Sequence, residues 1–330
     1  MSRLARRAAL ALAALASTLS LGTLPAAAQP FPGRTLTVIV PFAAGGPTDT
    51  VTRLVAESMG RELGQTIVVE NAGGAGGTIG AQRVANAKPD GYTLLLHHIG
   101  MATTPTLYRR LAYDPVGGFE PVGLVTEVPM TLVAKKDFPA DTLAEAIAVI
   151  RRDQEKLNYA NAGIGAASHL CGLLLMKAVD APMTTVPFRG TGPAMQEVIS
   201  GRIDLMCDQT TSTTEQIKSG AIKVFATTTP TRLEALPEVP TSAEAGLPEF
   251  QVTVWHGLYA PKGTPAEVTA RLSKALQVAL ADPKLVARFA ELGTAPVAAA
   301  MATPEAHRKF WLADIAKWKP IIQGAGQYAD

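Results

Sequence analysis

The chain has 330 residues, with 30 Lys or Arg against 28 Asp or Glu, and only two cysteines. Residues 1–28 contain three arginines and no acid, so the remainder carries 27 basic against 28 acidic side chains, a net charge of −1. That balance excludes nucleic acid as a partner and leaves no general attraction for acidic membranes. A mature length of about 300 residues is more than one core serves, which predicts two lobes.

The chain begins with Arg3, Arg6 and Arg7, runs through the largely apolar segment Ala8–Leu24 and reaches Ala26-Ala27-Ala28. A basic start, an apolar core and small residues at a cleavage point predict an export leader over residues 1–28. The mature chain then starts at Gln29, in a periplasm. A single membrane anchor is the alternative reading, but an anchor needs about 20 apolar residues and this core is shorter.

Strands and helices alternate from there. Leu36–Val40 is a β-branched run that stops at Pro41, Gly45-Gly46-Pro47 makes a bend, and a helix follows over 48–63. That helix sets Val51, Leu54, Val55, Met59 and Leu63 on one face, and Gly64 ends it. A strand over 66–70, the glycine-rich loop 71–77, a helix over 78–87 and a strand over 92–98 complete a βαβαβ run. Such a run implies a parallel sheet. Residues 99–118 read as irregular, broken by Pro105 and Pro115. Residues 119–137 read as two extended segments meeting near Pro129, where the chain crosses to a second lobe.

The second lobe repeats the opening pattern. A helix over 142–152 leads to a strand over 157–161, the loop AGIGAA (162–167) and a helix over 168–178. A strand over 184–188, the loop RGTGP (189–193) and a helix over 194–200 follow, then strands over 203–208 and 222–227. A proline-rich connection (230–248) returns through an extended stretch, 252–260, to helices near 265–281, 283–292 and 304–322. The boundaries implied are 29–131 and 255–330 for the first lobe and 132–254 for the second. Cys171 and Cys207 lie 36 residues apart and match no zinc spacing. They read as two buried thiols, with a disulfide as the alternative.

Each glycine-rich bend joins a strand end to a helix N-terminus, where unpaired amides and the positive end of the dipole suit an anion. The loop 74–80 resembles a dinucleotide fingerprint, but its spacing is G-x-G-x-x-x-G and no acid ends the next strand. His97 and His98 stand there instead. As strand neighbours they point to opposite faces and do not share a metal. Ser168 and His169 are adjacent on a helix and poorly placed to exchange a proton, so hydrolysis is a weak rival. Ser168 reads as a helix N-cap or as a ligand donor. Asp49 is either a cap or a ligand contact, Asp208 either a ligand acceptor or a cap, and Arg189 either a carboxylate partner or a surface residue. No metal or other cofactor is implied.

The segments VIVPFAAGGPTDTVTR (38–53), VENAGGAGGTIGAQRVANAKPDGYTLL (69–95) and NYANAGIGAASHLCGLLL (158–175) carry a resemblance, as do VPFRGTGPAMQEVISGRIDLMCD (186–208), VPTSAEAGLPEF (239–250) and WHGLYAPKGTP (255–265). In these the chain resembles the TctC, or Bug, family of periplasmic solute-binding proteins that serve tripartite tricarboxylate transporters. The resemblance implies a two-lobed type II periplasmic-binding fold, α/β with mostly parallel sheets and a ligand cleft between the lobes. It implies a receptor, not an enzyme, that as a monomer delivers a small carboxylate to membrane subunits. One wall of the site would be Phe42, Ala43, Ala44, Gly45, Gly46, Thr48, Asp49, Gly73, Gly76 and Thr78, with His97 and His98 beside it. The other would be Ser168, His169, Phe188, Arg189, Gly190 and Asp208. Phe188 stands where many relatives have tyrosine, and the two histidines where relatives often have small polar residues. Those differences point to an aromatic dicarboxylate of the terephthalate kind. A ligand sensor for a membrane kinase is the other reading of the same architecture.

Overall fold

The computed structural model describes residues 31–326, 328 and 329; the expected leader, 1–28, lies outside the described residues. Strands β1 (Leu36–Val40), β2 (Ile67–Asn71) and β3 (Thr93–His98) pair in parallel with β1 in the middle. The helix Pro47–Leu63 that joins the first two buries Val51, Val55, Met59 and Leu63, the stripe its apolar spacing dictates. Gly64 ends it in the left-handed region, φ 66°, with its N–H on the Arg61 and Gly60 carbonyls. The second lobe repeats this plan. Strand β5 (Asn158–Asn161) lies parallel between β6 (Thr184–Pro187) and β7 (Leu205–Gln209), connected by helices Ala167–Val179 and Thr191–Ile199.

Two crossing strands join these parallel groups and make the sheets mixed. Strand β9 (Thr253–Pro261) runs antiparallel to β3 and to β4 (Phe119–Lys135). Strand β4 pairs with β9 as far as Pro129, then from Met130 onward with β7 and, on its other side, from Thr131 with β8 (Ile222–Thr227). The expected pair of segments is thus one continuous 17-residue strand that changes partners at Pro129. A proline has no N–H to give a ladder, and the change of partner is where that loss costs least. Beside it, the Thr228 N–H bonds the Met130 carbonyl at 2.9 Å and the Thr228 carbonyl takes the Val252 N–H at 3.2 Å. Buried Thr228 therefore staples the two crossings together.

Three further expectations are corrected. Residues Gly100–Leu107 form a helix in spite of Pro105. It is held against the long C-terminal helix Pro304–Ala325, where fully buried Trp311 donates its indole N–H to the Met101 carbonyl at 2.9 Å. The helix after β6 starts at Thr191, three residues earlier than expected, because Gly190 and not Pro193 is its N-cap. Cys171 and Cys207 are joined as a disulfide, which ties the helix Ala167–Val179 to β7.

The closed loop spans 36 residues of separation. The double variant Cys171→Ala/Cys207→Ala is expected to lose about 3–4 kcal/mol of unfolding free energy through the freed denatured chain. Urea unfolding of the two proteins measures it, and a difference below about 1 kcal/mol would mean that the bridge does not hold the fold.

Candidate functional site

The site is assembled from the bends at the C-terminal ends of the strands. In the first bend, Gly45 takes φ 80°. The Asp49 carboxylate accepts the Gly45 N–H at 3.0 Å, the Arg53 guanidinium at 3.0 Å and the Asn71 amide at 2.9 Å. Asn71 also donates to the Phe42 carbonyl at 3.0 Å. Burial opposes the charge on Asp49, but the bonds from Arg53, Gly45 and Asn71 outweigh it and hold its carboxyl below the usual range. Asp49 thus shapes the bend and has no oxygen left for a ligand. In the helix that follows, Pro47 has no N–H and the Thr48 and Asp49 amides have no carbonyl behind them.

The second bend needs positive φ at four successive residues, Gly74, Ala75, Gly76 and Gly77. Thr78 does not reach outward; its hydroxyl donates to the Ala75 carbonyl at 2.9 Å. In the third bend Ser168 is not the N-cap of its helix, since Ala166 is. Its Oγ accepts the Ala162 N–H at 2.9 Å, while His169 Nδ1 accepts the Gly165 N–H at 3.3 Å. Each side chain holds a different amide of one loop, an arrangement for shaping the bend and not for a nucleophile and its base.

The bends of the two lobes meet at distances that side chains would forbid. The Ala43 N–H bonds the Arg189 carbonyl at 3.0 Å. A Cβ on Gly73 would stand 2.6 Å from that same oxygen, and one on Gly190 2.8 Å from the Ala43 nitrogen. A Cβ on Gly76 would stand 1.9 Å from the Ile164 carbonyl oxygen. The Tyr108 hydroxyl lies 2.8 Å from the Ala75 carbonyl and 2.9 Å from that of Ile164, one on each side of the seam.

Behind this seam is a cavity of about 10 Å³, room for one water-sized molecule. Phe42, Gly46, Pro47, Thr48 and His98 form one side; Ala162, Ala167 and Ser168, with Thr191, Asp208 and Gln209, form the other. None of these lining residues is Lys or Arg. A larger hollow of about 680 Å³ beside Arg53 and Arg61 is shallow and lies away from these bends. Of the residues the sequence singles out, Phe42, Gly46, Thr48, His98, Ser168 and Asp208 line the cavity. Ala43, Ala44, Gly73, Gly76, Arg189 and Gly190 make the seam, and Asp49, Thr78 and His169 brace the bends. Phe188 packs on the apolar core around Val133 and Met206 and does not line the cavity. Thr191 and Gln209 also line the cavity and are not singled out by the sequence; Gly190 preceding a threonine is the available signal for the first.

The histidines also differ from expectation. His97 and His98 do not diverge: their rings lie 4.9 Å apart, and both pack on Phe42. Both still pair with β9, His97 opposite Gly257 and His98 opposite His256, and it is Phe42, packed on both rings, that brings them together. His98 Nδ1 accepts the Gly100 N–H at 3.0 Å, which leaves Nε2 as the protonated nitrogen of the neutral ring. A third ring, fully buried His256 on β9, stands 6.1 Å from His98, its Nε2 3.3 Å from the Thr48 hydroxyl. Burial pushes His98 down to about 3 and holds His97 and His256 well below the ordinary value, so all three are neutral at pH 7. Among the described residues no group of His, Cys, Asp or Glu is placed to hold a metal ion.

Asp208 is the opposite of Asp49. It is 1% exposed, and neither carboxyl oxygen has a hydrogen-bond partner. Desolvation pushes it up to about 7, although the Gln209 amide and the Thr191 and Ser212 hydroxyls stand near enough to favour the anion in part.

A family model described as the tripartite tricarboxylate transporter family receptor matches residues 51–327. A protein of Agrobacterium vitis, known from the TAR-I ttuE-ttuC' intergenic region, is 51% identical over 297 residues, 90% of this chain and 86% of its own. Among solved structures, the periplasmic binding protein BugD is similar with a TM-score of 0.88 at 48% identity, over 91% of this chain and 100% of its own. MatC of Rhodopseudomonas palustris, solved with bound malate, is similar with a TM-score of 0.85 at 42% identity, over 88% and 100%. The architecture is therefore the two-lobed α/β fold of periplasmic binding proteins. Among the described residues no helix is long and apolar enough to cross a membrane.

Two outcomes are expected. The unfolded chain loses the Asp208 proton near its ordinary value of 3.8, whereas the folded chain keeps it to about 7. Stability from this group therefore falls as pH rises through that window and is level above it. At about 1.4 kcal/mol per unit, Asp208→Asn is expected to be more stable than the parent by up to about 4 kcal/mol at pH 8, with little gain at pH 3.5. Urea unfolding at both pH values reads this, and an equal difference at both would show that Asp208 titrates normally. Gly76→Ala is expected to fold but not to close. Hydrogen exchange at the Ala43 amide should quicken while that of β1 stays slow.

Proposed function

From its place in the tripartite tricarboxylate transporter receptor family, to which this chain belongs, we propose that it captures a small carboxylate outside the cytoplasm. It then hands the ligand, chemically unchanged, to the membrane subunits of such a transporter. The observation that carries this reading is the make-up of the cavity. Thr48, Ser168 and Thr191, three hydroxyl residues, line it from the first turns of three helices and from both lobes. Neutral donors contribute about 1 kcal/mol net per hydrogen bond, somewhat more to a charge, and helix N-termini favour an anion. Each bond is stronger out of bulk water.

A space of about 10 Å³ is too small for a dicarboxylate. Capture therefore requires the lobes, 29–131 with 255–330 against 132–254, to part along the glycine seam. They would pivot at the paired crossings near Pro129 and Val252 and close behind the ligand. Closure changes the outer surface, which gives a membrane subunit a way to tell a loaded receptor from an empty one. The leader at 1–28 supplies the export that this role needs, and the receptor works as a monomer. With Phe188 outside the cavity, a compact aliphatic dicarboxylate fits the wall better than an aromatic one of the terephthalate kind. The malate found in MatC has the right chemistry for the test.

Thermal shift and calorimetric titration with malate, adipate, citrate and terephthalate decide the matter. A ligand at a hundred times its Kd adds about 2.7 kcal/mol and raises Tm by several degrees. Malate or adipate is expected to do so. A response to terephthalate alone would restore the aromatic ligand, and silence across mono-, di- and tricarboxylates would remove the receptor reading.

A further inference from the structure

Buried polar groups are nearly always hydrogen-bonded, and a buried carboxyl with both oxygens unpaired is a marked exception. Asp208 is that exception, at the end of β7 and on the wall of the cavity. The Gln209 amide and the Thr191 and Ser212 hydroxyls stand near and favour its anion in part, but desolvation outweighs them and no cation faces it. From β4, the Thr131 hydroxyl goes to the Asp208 backbone carbonyl at 3.2 Å and not to the side chain. From β5, the Tyr159 hydroxyl donates to the Ser168 carbonyl at 2.8 Å and accepts the Cys207 N–H at 3.1 Å. The helix Ala167–Val179 brings Ser168 and His169, the latter pushed down to about 4 by burial, and β3 brings neutral His98. Charged residues on the packed elements are paired elsewhere: Lys135 of β4 with Asp204, Glu197 with Arg202 and Glu215 with Arg288. Lys218 and Arg189 are exposed.

An incoming carboxylate thus meets hydroxyls, amides, a neutral imidazole and one acid, with no cation on the wall. Two carboxylates in contact cannot both stay ionised, whereas a single proton between them makes a short charge-assisted O–H···O bond. We propose that Asp208 holds the ligand as a neutral acid that donates its proton to a ligand carboxylate oxygen, so that in alkaline solution, where the empty site is ionised, capture of the anion takes up a proton from solvent. This rests on the carboxylate-receptor reading above and adds the protonation state to it. Burial already favours the neutral acid without a ligand, and a neighbouring anion favours it further. His98 and His169, both held neutral well below pH 6, do not compete for the role. The ordinary carboxyls of malate or adipate are ionised above pH 6, which leaves Asp208 as the group that titrates with binding.

The test is calorimetric titration of the purified protein with malate and with adipate at pH 6, 7, 8 and 9. Buffers of low and high ionisation heat count the protons taken up. Affinity is expected to fall at least tenfold between pH 7 and pH 9, with close to one proton taken up per ligand at pH 8. Asp208→Asn, which keeps a neutral donor, should bind with an affinity that is flat in pH. Asp208→Ala should bind at least tenfold more weakly at pH 6. A flat pH profile in the parent protein overturns proton uptake and leaves the receptor standing. Affinity that rises with pH also overturns it, since that slope belongs to an ionised Asp208 accepting from a donor on the ligand. Absence of binding to both acids at every pH, from protein shown to be folded by its melting curve, overturns the proposal together with the carboxylate reading. The proton count in the parent needs no variant and stands even where a substitution does not fold.

Discussion

Backbone touching backbone is the contact on which this molecule depends. The loops that close the seam approach so nearly that Gly73, Gly76 and Gly190 leave no place for a Cβ. Only because they meet in this way do the starts of helices from two lobes share one small enclosed space, lined by hydroxyls and shut off from bulk solvent. The conformational entropy that glycine loses on ordering is the cost of that approach. It explains why the bends are rich in glycine where the helices behind them are not.

Within that space, solvation decides the charge of each side chain. Asp49 and Asp208 both belong to bends, yet one is held ionised by Arg53, Gly45 and Asn71, while the other has no cation beside it and only weakly placed donors. The first carboxylate is part of the scaffold. The second is the group with unused capacity. His97, His98 and His256 crowd together without a counter-ion and are held neutral by the same desolvation that raises Asp208 toward its neutral form. A wall built of uncharged groups can surround an anion without needing to be neutralised itself when the ligand leaves.

Rigidity is unevenly distributed around the cavity. The disulfide joins the helix that carries Ser168 to the strand that carries Asp208, so that wall moves as one piece. Under the lobe boundaries proposed above, and among the described residues, the chain crosses at β4 and at the return into β9, side by side and pinned by Thr228. A narrow covalent connection with a noncovalent glycine seam opposite is the geometry of a hinge with a clasp. Tyr108 spans that clasp, with its hydroxyl beside a carbonyl of each side.

What the sequence determined by itself is what local chemistry controls. The β-branched runs, the glycine and proline at each bend, the apolar stripe of Val51, Val55, Met59 and Leu63, and the order of the long motifs required no distant partner to be read. The helix at Gly100–Leu107 is not legible locally because Pro105 argues against it, while its support includes Trp311, far away in the chain. The threonine-rich helix Thr210–Lys218 is a poor helix former held by distant hydroxyl partners, Thr131, Gly293 and Leu292. The pairing of Cys171 with Cys207, the shared side of His97 and His98, and the removal of Phe188 from the cavity belong to the same class. So does the contrast between Asp49 and Asp208. Only the tertiary structure decided them, because each depends on which groups folding brings within a few ångströms, and that distance is not written in sequence spacing.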